Sequence, residues 1–323
     1  MPFLLSAASR LTVALIIATL VISSAAGAEP MVRPVVQKTG SEATLLAVHF
    51  RDARLGWAVG SGGSILRTTD GGKRWKATTV GSQALLAGVF FADDRHGWVV
   101  GSNGTILHSS DGGEHWMPQV AGTQSALYGV HFLDARHGWL VGAGGTILHT
   151  DDAGAHWLDQ ASGTNAILYA VHFVDEKHGH AVGALGSVLV TDDGGATWTT
   201  QLSQNAATFF DVYFTDPMTG WAVGNAGALY QTINGGAQWT DRTLICSRTC
   251  SRAADLIKIR FTDAKTGWIV GERGSIFRTT DAGFTWTEMD STIKTALYGL
   301  SFPDASHGWA AGERGTILQL SIK

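Results

Sequence analysis

The residues with chemistry to offer in this chain are histidines, arginines and one pair of opposite charges. His49, His131 and His172 occupy one recurring place inside Val-His-Phe segments, and His96, His137, His178 and His307 each precede a glycine. Imidazole is the commonest metal ligand among side chains. A set of histidines reproduced at fixed intervals is nonetheless a by-product of repetition, so no metal and no cofactor is expected. Acid–base hydrolysis of a glycoside needs two carboxylates flanking one bond, and no such pair can be picked out. Tyr128, Tyr169 and Tyr298 sit in strand positions of a repeat, and Tyr213 and Tyr230 also fall in strands. No catalytic residue is assigned.

The arginines are the better lead. Residues 241–252 contain Arg242, Arg248 and Arg252 around Cys246 and Cys250, and two later hairpins read Glu272-Arg273-Gly274 and Glu313-Arg314-Gly315. Guanidinium forks suit carboxylates and interface anchors, so Arg242, Arg248, Arg252, Arg273 and Arg314 are expected to gather on one sector as a partner-binding surface. The two cysteines are too few for a structural zinc site; they are expected to form a small disulfide that pins the loop, in an oxidising compartment. A second oddity is internal. At one recurring position the chain carries Ala47, Gly88, Gly129, Ala170, Asp211, Lys258 and Gly299. Asp211 and Lys258 are read as a structural ion pair near a central channel, because either charge alone would be costly to bury.

These positions recur because the chain does. Gly-Trp appears at Gly56-Trp57, Gly97-Trp98, Gly138-Trp139, Gly220-Trp221, Gly267-Trp268 and Gly308-Trp309, with Gly179-His180 in the one gap. The steps are 41, 41, 41, 41, 47 and 41 residues, an interval that marks one supersecondary unit per repeat. In the first unit strands are expected over 45–51, 56–61, 64–69 and 74–80, with Gly62-Gly63 closing a hairpin. Four antiparallel strands per unit, seven times over, predict an all-β, seven-bladed β-propeller.

The turn between third and fourth strands reads Thr/Ser-x-Asp-x-Gly-x-x-Trp, with Asp70, Asp111, Asp152, Asp193, Asn234 and Asp281 at its acidic position. A carboxylate there can accept amide hydrogens of its own turn while glycine supplies the positive φ. This is the Asp-box, or bacterial neuraminidase repeat, and its role is read as structural. All twelve tryptophans fall on repeat positions and are expected in the core. The seventh unit stops after its third strand. Val35-Val36-Gln37 aligns with Met117-Pro118-Gln119, so the N-terminal strand is expected to complete the last blade and remove two open edges.

Composition agrees with many short strands and tight turns: 41 glycines and only 15% charged residues. Beyond residue 28 there are 22 basic residues (23 less Arg10) against 27 acidic ones, which gives nucleic-acid binding no support. Residues 1–28 read as a signal peptide. Arg10 is followed by an apolar run, Leu11 to Ile22, and by Ala26-Gly27-Ala28 before Glu29; residues 29–323 are then one domain, exported to the periplasm or an equivalent lumen.

With seven Leu-x-x-Val-x-Phe-x-Asp-x-x-x-Gly-Trp-type units and Asp-box turns, the chain resembles the photosystem II stability/assembly factor family. That resemblance implies a non-enzymatic periplasmic or lumenal factor that holds a membrane-protein subunit during assembly. An arginine patch is part of the family picture, and the arginines of blades five to seven are the region here that could correspond. No nucleic acid or small-molecule substrate is expected, and a monomer is. Two alternatives remain: a secreted sialidase-like glycoside hydrolase, since Asp-boxes also decorate sialidases, and a periplasmic accessory of an envelope transporter.

Overall fold

The computed structural model describes residues 33–78, 80–202, 207–244 and 253–321. The signal-peptide assignment, Cys246, Cys250, Arg248 and Arg252 lie outside these residues.

Seven four-stranded antiparallel sheets form the blades of a β-propeller. In blade one the strands are Leu45–Phe50, Gly56–Gly60, Ile65–Thr68 and Lys76–Thr78, in that order from the centre outward. Blade seven is composite. Arg33–Gln37 adds to the edge of Ile317–Ser321, with Arg33 opposite Ser321 and Gln37 opposite Ile317. Gln119 stands opposite Ile106 in the same way, which is the register anticipated from aligning Gln37 with Gln119. The N-terminal strand thus closes the ring.

The Gly-Trp repeat follows from packing between blades. Trp57 is fully buried and stacks on Phe91 of the next blade with ring centroids 3.4 Å apart. Its indole Nε1 donates to the carbonyl of Gly112 in that blade's aspartate turn, at 3.1 Å. Glycine precedes it because a Cβ on Gly56 would lie 2.5 Å from the ring of Phe50. The exception imitates the rule: His180 stacks on Phe214 at 3.6 Å, and its Nε2 lies 3.1 Å from Gly235 O.

The tryptophans that end the aspartate turns pack differently. Trp116 meets Phe91 edge-on at 5.7 Å, and Trp75, Trp157, Trp198, Trp239 and Trp286 are only half-buried. Those five indoles cap the outer hairpins instead of filling the core, so the expected burial holds for the Gly-Trp set and for Trp116. Within the turn the labour is divided. Asp152 Oδ1 accepts the His156 amide at 2.9 Å, while the Gly154 amide goes to Thr150 Oγ1 at 2.8 Å. In blade five Asn234 Oδ1 takes the Gln238 amide at 2.9 Å, so an uncharged oxygen suffices there.

A second link between blades is absent from the sequence reading. Gln119, on the outer strand of blade two, donates through Nε2 to Ala153 O at 2.9 Å and accepts Trp157 Nε1 at 3.3 Å. Gln37 does the same for Gly71 and Trp75, and Gln160 for Gly194 and Trp198. Replacing Gln119 with leucine removes both bonds and leaves the Trp157 indole without its acceptor. At about 1 kcal/mol per bond, chemical denaturation should show a loss of about 1–2 kcal/mol. An unchanged midpoint would show that the amide contributes nothing across the blade boundary.

Candidate functional site: the hairpin face and the central channel

Every blade carries an irregularity near the start of its innermost strand, as between Leu45 and Ala47 or Leu127 and Gly129. The extra residue re-aims a side chain. At this position Tyr128, Tyr169 and Phe210 are half-buried neighbours, with centroids 5.4 and 5.6 Å apart. Tyr298 shares the position and donates its hydroxyl to Glu313 Oε1 at 3.2 Å. An aromatic rim therefore lies where the channel opens on the face of the hairpins joining second and third strands.

The hairpin tips differ around that face. Each has a central residue in the left-handed region: Gly62, Asn103, Gly144, Leu185, Ala226, Arg273 and Arg314. Arg273 and Arg314, at φ 58° and 52°, are exposed at equivalent places on the adjacent blades six and seven. Glu272 beside Arg273 accepts the Asp255 amide at 3.3 Å through Oε2. Ser61 accepts the Thr44 amide at the same place in blade one, so Glu272 is a loop staple as well as a charge.

Arg242 is a correction. It was expected to join the cluster, but it follows the outer strand of blade five and its guanidinium lies 5.7 Å from the ring centroid of Phe284. Phe284 belongs to the aspartate turn of blade six, at the opposite end of the third strand from the hairpin that carries Arg273. Arg242 stands three residues after Trp239, as Gln119 stands after Trp116. It reaches the neighbouring blade's turn as those glutamines do, and so points away from the hairpin face.

Asp211 and Lys258 do meet, with Lys258 Nζ 3.1 Å from Asp211 Oδ1. The sequence reading missed the third member. Arg260 Nη1 donates to Asp211 Oδ2 at 2.6 Å, and the Ile259 amide donates to the same oxygen at 3.1 Å. The Asp211 side chain is 3% exposed, against 22% for Lys258 and 31% for Arg260. The signal was available: two residues after the Asp211/Lys258 position the repeat reads His49, Phe90, His131, His172, Tyr213, Arg260 and Ser301. Only blade six is charged there.

Those residues form a ring in the channel. Centroids of His49 and Phe90, Phe90 and His131, His131 and His172, and His172 and Tyr213 lie 5.0, 5.3, 4.9 and 4.9 Å apart. Arg260 lies 5.6 Å from the centroid of Tyr213. Burial, helped by the charges of Arg51 and Arg260, pushes the His49 imidazole down to about 3. Burial and Arg260 push His131 down to about 4. His172 falls well below the ordinary value through burial, His131 and Arg260. All three are neutral at physiological pH. Above and around them is a cavity of about 240 Å³. Among the described residues no cluster of histidine, cysteine and carboxylate has the makings of a metal site.

Known proteins place this architecture. The chain is similar in structure to YCF48 bound to D1 peptide, with 20% identity, TM-score 0.76 and coverage of 90% of this chain and 96% of that one. Against YCF48 from Cyanidioschyzon merolae the values are 21%, 0.74, 90% and 98%. A GH74 xyloglucanase from Xanthomonas campestris shares the fold at 13% identity and TM-score 0.73, over 90% of this chain and 54% of that one. A search of curated protein sequences gives no match. The profile of the family described as Photosynthesis system II assembly factor YCF48 matches residues 33–116, 75–158, 200–292 and 247–321, most of the propeller, and the chain belongs to that family.

Proposed function

We propose that this protein is an exported, non-enzymatic binding factor that holds a membrane-protein subunit while its complex assembles, and that it does so through the hairpin face of blades six and seven. The observation that carries the reading is the pair Arg273 and Arg314. Blades one and three place glycine at this left-handed position (Gly62 and Gly144), whereas blades six and seven hold arginine there at φ 58° and 52°. Blades two, four and five hold Asn103, Leu185 and Ala226 in the same conformation, so what sets blades six and seven apart is charge: two exposed guanidiniums on one side of an aromatic rim. Arg248 and Arg252 extend the same proposal from the loop between blades five and six. A related protein binds a peptide of D1, and a peptide is the ligand class that such a rim and cations suit.

Other observations support the reading against an enzyme. Among the described residues the only carboxylate lining the channel is Asp211, and two cations hold it. Export rests on the composition of residues 1–28 and predicts a periplasmic or lumenal protein beginning near Glu29.

The test uses glycine, because glycine relieves the backbone while removing the charge. The Arg273→Gly/Arg314→Gly variant should melt at the parent temperature or slightly above it. From detergent-solubilised membranes the parent should retain a membrane-protein subunit that the variant loses at least tenfold. Equal recovery by both proteins, or no membrane protein retained by the parent, would overturn the assignment.

A further inference from the structure

Among the described residues the channel wall is uncharged in five blades and charged in two. Its charged lining residues are Asp211, Lys258 and Arg260, one negative and two positive, a surplus of one positive charge. The geometry fixes which members are spent. Asp211 is buried and takes both cations and the Ile259 amide. Lys258 and Arg260 remain partly open to solvent and carry more donors than Asp211 can accept from: three on an ammonium and five on a guanidinium. Nδ1 of His172, in the same wall, is buried with no hydrogen-bond partner among the described residues. The neutral histidines add no charge, so the surplus stands.

We propose that the channel is a carboxylate-binding site, and that its ligand is a carboxylate carried on an extended peptide whose neighbouring apolar side chain lies against Tyr128, Tyr169 and Phe210. This deepens the binding-factor reading and rests on it for the peptide. A guanidinium fork pairs two-to-two with a carboxylate, and Lys258 adds a point charge. One surplus positive charge matches one carboxylate. A dianion such as phosphate would leave charge uncompensated next to Asp211. A cavity of about 240 Å³ has room for a C-terminal residue with its carboxylate, not for a folded element. Asp211 acts as a positioning residue: it holds Lys258 and Arg260 together at the cost of one unit of their charge.

The experiment is a calorimetric titration with three probes: N-acetyl-Ala-Ala-Phe-Ala as the free acid, the same peptide as its C-terminal amide, and sodium acetate. The acid should bind at least tenfold more tightly than the amide, and acetate much more weakly than either. Arg260→Gln should erase the preference for the acid, while Asp211→Asn should strengthen it several-fold. Both substitutions disturb the same buried cluster, so opposite shifts cannot come from destabilisation. Equal binding of acid and amide, or a preference that survives Arg260→Gln, would overturn the site. Acetate binding as tightly as the acid peptide would overturn the peptide as ligand. A parent protein that shows no preference for the acid yet still captures the membrane protein sinks this inference alone. The reverse result sinks the assembly role and leaves the site.

Discussion

Removing residues 33–40 should lower the melting temperature by roughly 10 °C or more, the largest effect expected from any local change in this chain. Val35 and Val36 are 55% and 58% exposed, so the strand contributes little apolar burial of its own. What it supplies is closure. Its five residues pair with Gln319 and its neighbours along the last chain segment. Gln37 ties blade seven to the aspartate turn of blade one through Gly71 O and the Trp75 indole. Thr39 Oγ1 donates to Gly315 O at 2.8 Å. Without the strand, Leu318 and Leu320, both fully buried, lie along an open sheet edge, the feature that propellers avoid. A loss on the order of 4–6 kcal/mol corresponds to that fall for a domain of this size. Adding residues 33–40 back as a peptide should restore part of the melt. A deletion that melts with the parent would mean that the ring does not depend on this seam.

The seam was legible because repetition supplies its own alignment. Gln37 could be matched to Gln119 without knowing what either amide does, and the register followed. The Gly-Trp and aspartate turns were legible for the same reason: each is a local pattern with a local cause. What escaped were contacts whose partner lies one blade, and so about 40 residues, away in sequence. Gln119 looks like any polar residue on an outer strand until Ala153 and Trp157 are placed beside it. Arg242 was grouped with its neighbours in sequence, whereas its register position sends it to Phe284. Arg260 is inconspicuous in sequence because its repeat mates are uncharged (His49, Phe90, His131, His172, Tyr213 and Ser301) and no opposite charge adjoins it in the chain. Repeat position alone pairs Asp211 with Lys258, whereas Arg260, the next alternate residue on the same strand, reaches Asp211 only once the channel is built. Function was less legible than fold. The motif fixes the scaffold, and the partner is read from the few positions where the scaffold is not itself.

Acid should unfold this protein earlier than its carboxylates would. The aspartates of the turns, Asp70, Asp152 and Asp193, are each held down to about 2 by hydrogen bonds from their own turns. Their contribution is complete above the unfolded value near 4 and is lost only as pH falls from there toward 2. The channel histidines act in a higher window. His49 and His131 are pushed down to about 3 and about 4, and His180, buried in the Gly-Trp position, to about 4. The folded state therefore resists protons that the unfolded chain accepts near pH 6.5. Stability is complete above that value and falls as pH drops through 6.5 toward the folded values, on the order of 1–2 kcal/mol for each histidine by pH 5. Thermal melts should thus decline between pH 7.5 and 5. The His131→Phe/His172→Phe variant, which copies Phe90 at the same repeat position, should flatten that decline while keeping the parent's loss below pH 4. A parent melt that is level from pH 7.5 to 5, or a decline that the phenylalanines leave untouched, would mean that the ring does not exclude protons.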